Sequence, residues 1–245
     1  MDDFTILKPG QRLRAIRKKL GLTQEDLVGK NMSKNYISMF ENGKRPISII
    51  NATYLAETLN NKAKDMDIEL NLTASYFVKS EKDLARERCL DWLDNIKKEN
   101  KNNKIRIYRD LYNIIYLSNR YGLEDILAEA LEKKGKLLYR DRLYPCSITH
   151  LSQSLLYYCK EDNKKKMKSI YVLIGKAYFM DLNYKMSIVY YNLAGLMGKD
   201  ENILYYKALS YYKLGHSQIA LNIIDNIMFR DERVLKLIHN IENNY

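Results

Sequence analysis

The side chains best suited to chemistry lie close together near the N-terminus. From Lys8 to Arg45 there are ten basic residues (Lys8, Arg12, Arg14, Arg17, Lys18, Lys19, Lys30, Lys34, Lys44 and Arg45). Only Glu25, Asp26 and Glu41 oppose them, so this segment alone is +7 in a chain whose net charge is +11. Short polar groups stand among the cations: Gln24, Ser33, Asn35, Ser38 and Asn42. Lysine and arginine donate to phosphate oxygens or to guanine O6 and N7, and an asparagine amide can bond adenine N6 and N7 as a pair. The set suits a polyanionic partner rather than the making or breaking of bonds.

The remaining reactive residues do not form a catalytic or metal-binding pattern. His150, His216 and His239 are scattered, and Cys89, Cys146 and Cys159 include no CxxC pair. There is no P-loop, GxGxxG or GxSxG. We therefore expect no enzyme activity, no cofactor and no metal. Three widely spaced cysteines suit free thiols in a reducing compartment. The acidic start MDDFTILKPGQ lacks the apolar run of a signal peptide, and no stretch approaches the ~18 apolar residues of a membrane span. A cytoplasmic protein with no membrane partner is expected.

The elements that hold these side chains read as helices. Only three prolines occur, and the ten glycines sit mostly between apolar-periodic segments, so the fold class expected is all-α. Pro9 opens a helix with Leu13, Ile16 and Leu20 on one face, and Gly21 supplies a left-handed stop. Thr23-Gln24-Glu25-Asp26 is a capping box for a short second helix, with Leu27 and Val28 facing inward and Gly29-Lys30-Asn31 ending it. Ser33 caps a third helix from Lys34 to about Glu41. There Ile37 and Phe40 point inward beside Tyr36, while Lys34, Asn35 and Ser38 point elsewhere. A fourth, about Ser48 to Asn60, carries Ala52, Leu55, Ala56 and Leu59 on one face.

The run LRAIRKKLGLTQEDL…SKNYISMFENGKRPI resembles the helix-turn-helix of the Cro/repressor (XRE-type) family. Arg17, Gly21, Thr23-Gln24-Glu25, Leu27, Ser33, Tyr36-Ile37-Ser38 and Glu41-Asn42-Gly43 fall on that pattern, over about Pro9 to Leu59. The turn between Leu27 and Ser33 is one residue shorter than usual. The resemblance implies that the third helix enters the major groove of duplex DNA with Lys34 and Asn35 at base edges and Ser38 one turn on. It further implies that Gln24 touches a phosphate and braces the first base contact, and that Asn42, Lys44 and Arg45 clamp the backbone. Ser33 completes the expected DNA-binding set.

Asn60 to Leu72 reads as a polar linker. Ser80-Glu81-Lys82-Asp83 caps a helix running to about Lys98, with Ala85, Cys89, Trp92, Leu93 and Ile96 as its apolar stripe. It serves equally well as a core helix, an interdomain connector or a partner contact. Lys97 to Lys104 reads as a solvated break. From Ile105 onward, helical segments of ~14 to 18 residues alternate with short breaks near Gly122, Arg142, Asp162, Asn183, Gly198, Gly215 and Asp231. The stretches IGKAYFMDLNYKMSIVYYN and KALSYYKLGHSQIALNIID align at an offset of 33, pairing Gly175 with Ala208, Tyr178 with Tyr211, Ser187 with Ala220 and Tyr191 with Ile224. This resembles the tetratricopeptide repeat. Helices between Ile105 and Lys160 do not fall into register by sequence. Val234 to Ile241 reads as a cap for the array.

The expected organisation is a helix-turn-helix DNA-binding domain over 1–72, a connecting segment and helix over 73–104, and a tetratricopeptide-like α-solenoid over 105–245. This order resembles the RRNPP group of peptide-sensing regulators. The resemblance implies a transcriptional regulator whose partners are an operator in double-stranded DNA, a second copy of the chain and a short peptide effector. Asn113, Asn119, Gln153 and Asn192 could bond an extended peptide backbone, and Tyr116 could hold a side chain. The alternative is a regulator or scaffold whose repeats bind another protein.

Overall fold

The computed structural model describes residues 5–29, 32–98 and 103–243. Within them the secondary structure is helical apart from one isolated antiparallel bridge, Gly29 to Met32. The chain divides into two compact units: Met1–Asp94 with Tyr116–Gly122, and Asn95–Ile115 with Leu123–Tyr245.

The first unit is built from α1 (Pro9–Lys19), a 3-10 turn (Glu25–Leu27), α2 (Lys34–Glu41), α3 (Ile49–Lys64), α4 (Ala74–Val78) and the start of α5 (Glu81–Lys98). Its core is the apolar face predicted for α1, α2 and α3: Leu13, Leu20, Ile37, Phe40, Ala52, Leu55, Ala56 and Leu59, joined by Leu27 and Met32. Gly10 lets α1 cross the end of α2 closely, since a Cβ there would collide with the Phe40 carbonyl oxygen. Gly21 and Gly43 take the left-handed turns after α1 and α2, with φ of 68° and 71°.

Two features differ from the sequence reading. The second helix is only the 3-10 turn. Thr23 and Asp26 do form the reciprocal cap, the Thr23 N–H donating to Asp26 Oδ2 at 2.8 Å and the Asp26 N–H to Thr23 Oγ1 at 3.4 Å. The chain then turns extended at Val28, and Gly29 and Met32 exchange backbone hydrogen bonds of 3.0 Å. Tyr54 locks this path by donating its hydroxyl to the Val28 carbonyl at 2.9 Å. Val28 consequently faces solvent, 45% exposed, rather than the core. Lys30 and Asn31 lie outside the described residues. Second, residues 60–72 are tied down. The Asn60 side chain accepts from the Leu72 N–H and donates to the Leu72 carbonyl, both at 2.9 Å. Beyond it Phe77 joins the same core, and the buried Arg12 guanidinium donates to the carbonyls of Tyr76 and Lys79 at 2.6 and 2.9 Å. The first compact unit therefore continues past residue 72.

Helix α6 (Lys104–Tyr121) runs through both groups of residues. The second unit continues as α7 (Glu124–Arg140), α8 (Tyr144–Lys160), α9 (Lys164–Met180), α10 (Tyr184–Leu196), α11 (Glu201–Lys213), α12 (Ser217–Ile224) and α13 (Glu232–Glu242). From α7 to α13 each helix packs on the next, and α7, α9, α11 and α13 also touch in succession, which makes one continuous row. Such a pattern is that of stacked helical hairpins.

The structure supplies the register the sequence withholds. Gly135 meets Leu151, Gly175 meets Tyr191, and Ala208 shares a core with Ile224. The first two pairs are 40 residues apart and the last two 33. The same offsets connect the left-handed turn residues Arg142, Leu182 and Gly215, with φ of 61°, 61° and 81°. They also connect the buried Ser147, Ser187 and Ala220. The repeat thus has three copies, the first two with 17-residue leading helices and the third with one of 13. On α13, Val234, Leu237 and Ile241 are buried against the last hairpin and close the array.

Candidate nucleic-acid interface

The helix that carries the base-reading candidates is α2, and its placement rests on one buried carboxylate. Glu41, 4% exposed, accepts from Arg17 of α1 twice, Nε to Oε1 at 2.7 Å and Nη2 to Oε2 at 3.0 Å. Arg17 also donates to the Leu22 carbonyl at 2.8 Å, so it ties α1, the following turn and α2 together. Glu41 raises the Arg17 pKa by its hydrogen bonds, against the lowering effect of burial. Gln24 donates Nε2 to Glu41 Oε2 at 2.8 Å. Its amide is thus held by the same carboxylate, which fixes the start of the 3-10 turn against the end of α2.

Ser33 caps α2, its hydroxyl accepting from the Tyr36 N–H at 3.2 Å. Lys34 and Asn35 are exposed on the first turn, and Ser38 is half-buried one turn on. Lys34 forms an ion pair with Glu25, both side chains about 60% exposed. That pair holds the Glu25 carboxyl below the usual range. At the far end Asn42 caps α2 by donating Nδ2 to the Ser38 carbonyl at 2.8 Å. Gly43 and Lys44 close the helix through N–H bonds to Phe40 and Met39. Arg45 lies over the Tyr36 ring, 4.6 Å from its centroid, while the Tyr36 hydroxyl donates to the Pro46 carbonyl at 3.1 Å. Arg45 is therefore pre-positioned despite its exposure.

Three further residues join this face that the sequence alone does not single out. Lys8, Gln11 and Arg14, with Gly10, Glu41, Asn42 and Gly43, line an open depression of about 320 Å³. Lys8, Gln11 and Arg14 bring to it donors of the kind phosphate oxygens accept from. The only signal in the sequence is that two of the three belong to the ten clustered cations; nothing in the spacing separates Arg14 from Lys18 or Lys19.

The peptide-contact candidates divide between the two units. Asn113 is buried, 2% exposed, inside α6. A side chain that deep is not on an open surface of the helix. Tyr116 and Asn119 follow on α6 in residues belonging to the first unit, where Arg120 donates to the Tyr116 hydroxyl at 3.5 Å. Gln153 and Asn192 are exposed on α8 and α10, the helices outside the continuous row. Instead, the second unit holds a cleft of about 380 Å³ lined by α5, α6, α7 and α9. At its side Glu132, 3% exposed, accepts from Lys136, from Lys166 at 2.8 Å and from the Tyr158 hydroxyl at 3.0 Å. Burial pushes the Glu132 carboxyl up, but the two lysines outweigh it and hold it below the usual range.

Among the described residues no three His, Cys, Asp or Glu gather as a metal site, and no helix is long and apolar enough to cross a membrane. Cys89 is buried, and burial pushes its thiol up to about 11 despite a hydrogen bond from Ser118.

Residues 13–64 match the helix-turn-helix family model, so an XRE-type helix-turn-helix domain occupies the N-terminal part. No curated sequence matches the chain. Similar solved structures include Bacillus thuringiensis PlcR in complex with the peptide PapR7 and DNA, at 14% identity, with 97% of each chain covered and a TM-score of 0.32. Streptococcus dysgalactiae Rgg2, an SHP pheromone receptor solved in a cysteine-to-serine form, is 14% identical over 98% of each chain, with a TM-score of 0.28. A tyrosine-to-cysteine mutant of PrgX is 17% identical, covering 97% of this chain and 93% of its own, with a TM-score of 0.25.

Proposed function

We propose that this chain is a transcriptional regulator that binds duplex DNA sequence-specifically as a homodimer through α2, and that its helical repeats sense a short peptide. The observation that carries the DNA reading is the division of labour on α2. Its inner face is pinned by Glu41 to Arg17 and Gln24, while Lys34 and Asn35 stand outside at its first turn. A recognition helix needs this combination: a rigid back and solvent-exposed donors and acceptors at the N-terminal end. Lys44, Arg45 and the depression beside Arg14 supply backbone contacts that set the register.

The test is selection of binding sites from random duplexes with the native chain and with Asn35→Ala. The variant should lose about 1–3 kcal/mol of discrimination at one base position and keep the rest of its preference. An unchanged preference overturns the placement of α2. The peptide reading draws on the capped array of hairpins and its cleft. It is checked by calorimetric titration with peptides encoded beside the gene, alone and with operator DNA bound. Regulation requires that the two ligands alter each other's affinity by the same factor; no heat with any such peptide overturns it.

A further inference from the structure

The strongest feature outside the DNA-binding face is the cleft of the second unit. Five cations line it (Lys97, Lys133, Lys136, Arg140 and Lys166) against two carboxylates, Glu129 and Glu132. Resting on the peptide-sensing reading, we propose that this cleft binds a side-chain carboxylate of the effector, so that the peptides the repeats select carry Asp or Glu.

Both resident carboxylates are already shared. Glu129 faces Lys97 at 3.9 Å and Lys133 at 3.6 Å. Glu132 is engaged by Lys136, Lys166 and Tyr158. Each ammonium carries three donors and a guanidinium five, so one or two bonds apiece leave most of them unfilled. Arg140, at the end of α7, makes no ion pair among the described residues, yet it lines the same cleft. The walls between these heads are Ile96, Ile107, Leu111 and Leu137. Apolar walls weaken solvent screening, so an incoming carboxylate is attracted more strongly there than on an open surface. The volume of about 380 Å³ is that of a small-ligand pocket, large enough for one acidic side chain with its flanking backbone.

The supply of positive charge is local to this row of helices. Helix α9 holds Lys164, Lys165, Lys166, Lys168 and Lys176 and no acid. Four of these crowd its N-terminal turns, the end where the helix dipole disfavours cations. Among the described residues Lys166 and Lys168 are paired with acids of neighbouring elements, Glu132 and Asp200, and of the five lysines Lys166 lines the cleft.

The experiment is selection from a library of random short peptides on the immobilised full chain. Recovered sequences should be richer in Asp and Glu than the starting library. A recovered acidic peptide, followed by fluorescence anisotropy, should bind the Lys133→Gln/Arg140→Gln variant about tenfold more weakly. Arg140→Lys should restore part of the loss, and Lys44→Ala/Arg45→Ala should leave the peptide affinity unchanged. These positions are at the surface or rim, so the fold is retained, which circular dichroism verifies. Enrichment without an acidic excess sinks the charge assignment while the peptide reading stands. Acidic enrichment that survives in the Lys133/Arg140 variant, or vanishes with Lys44 and Arg45, places the site elsewhere and overturns the inference. No enrichment at all overturns both.

Discussion

Two ion pairs flank α2, and their environments give them opposite roles. Arg17–Glu41 is buried, bidentate and further bonded to Gln24 and the Leu22 carbonyl. Removing one partner leaves a charge without water or counterion, so Glu41→Ala should cost about 3–5 kcal/mol in urea unfolding. Lys34–Glu25 is solvent-screened at both ends. Glu25→Gln should therefore leave the unfolding midpoint in place while tightening DNA binding, because Lys34 no longer has to leave a partner before reaching a base. Weaker DNA binding by Glu25→Gln would mean that Glu25 positions Lys34 rather than competing for it. The thiols divide in the same way. Cys89 is buried with its pKa raised to about 11, whereas Cys146 and Cys159 are exposed. Only the thiolate is alkylated. Mass spectrometry after brief iodoacetamide treatment of native protein should find label on Cys146 and Cys159 and none on Cys89. Labelled Cys89 would show that the surrounding helices open readily.

At the scale of elements, the repeats are governed by one close contact per hairpin. A Cβ on Gly175 would lie 2.8 Å from the Tyr191 ring, and one on Gly135 2.6 Å from Leu151. In the third copy Ala208 stands where the glycines are, and a smaller aliphatic, Ile224, replaces the ring. Gly175→Ala should accordingly destabilise by about 1–3 kcal/mol through overpacking. Adding Tyr191→Ile imports the third copy's pairing and should recover part of the loss; a double-mutant cycle with no coupling would refute the shared register. This compensation explains what is legible in the sequence. The offset of 33 shows because Tyr178 and Tyr211 match outright. The offset of 40 is hidden, because its glycine is matched with leucine in one copy and tyrosine in the next, and the inserted residues only lengthen helices. In the first unit, α1, α2 and α3 are readable from apolar spacing and from Ser33 as a cap. The path from residue 60 to Phe77 is not, because the Asn60 amide holds Leu72 by backbone bonds that leave no periodic trace. Likewise the Thr23–Asp26 cap is visible in sequence, but the helix it announces is cut short by a tyrosine from α3 packed on Gly29. The face of α2 is legible as chemistry; the depression beside Arg14 needs the crossing of α1 and α2 at Gly10 to exist at all.

For the whole molecule, the sharpest question is how many chains meet one operator, and charge can count them. Each phosphate neutralised on duplex DNA contributes about 0.9 to the slope of log affinity against log salt. Lys44 and Arg45 are exposed at the end of α2, and Arg45 is held in place by the Tyr36 ring, so each is suited to one phosphate. Their joint replacement by alanine removes two contacts per chain. A single chain on DNA then loses about two units of slope, and a dimer on two half-sites loses about four. Neither residue packs in the core, so the comparison is made at unchanged stability. A homodimer is expected because one helix of eight residues contacts too few base pairs to select a site, and two-fold pairing doubles that number. The measurement is equilibrium binding of the native chain and the Lys44→Ala/Arg45→Ala variant to one operator across a salt series. Light scattering of the complex gives an independent mass. A slope change near four with two chains per duplex supports the dimer. A change near two with one chain per duplex refutes it, and α2 must then draw its specificity from contacts beyond Lys34, Asn35 and Ser38.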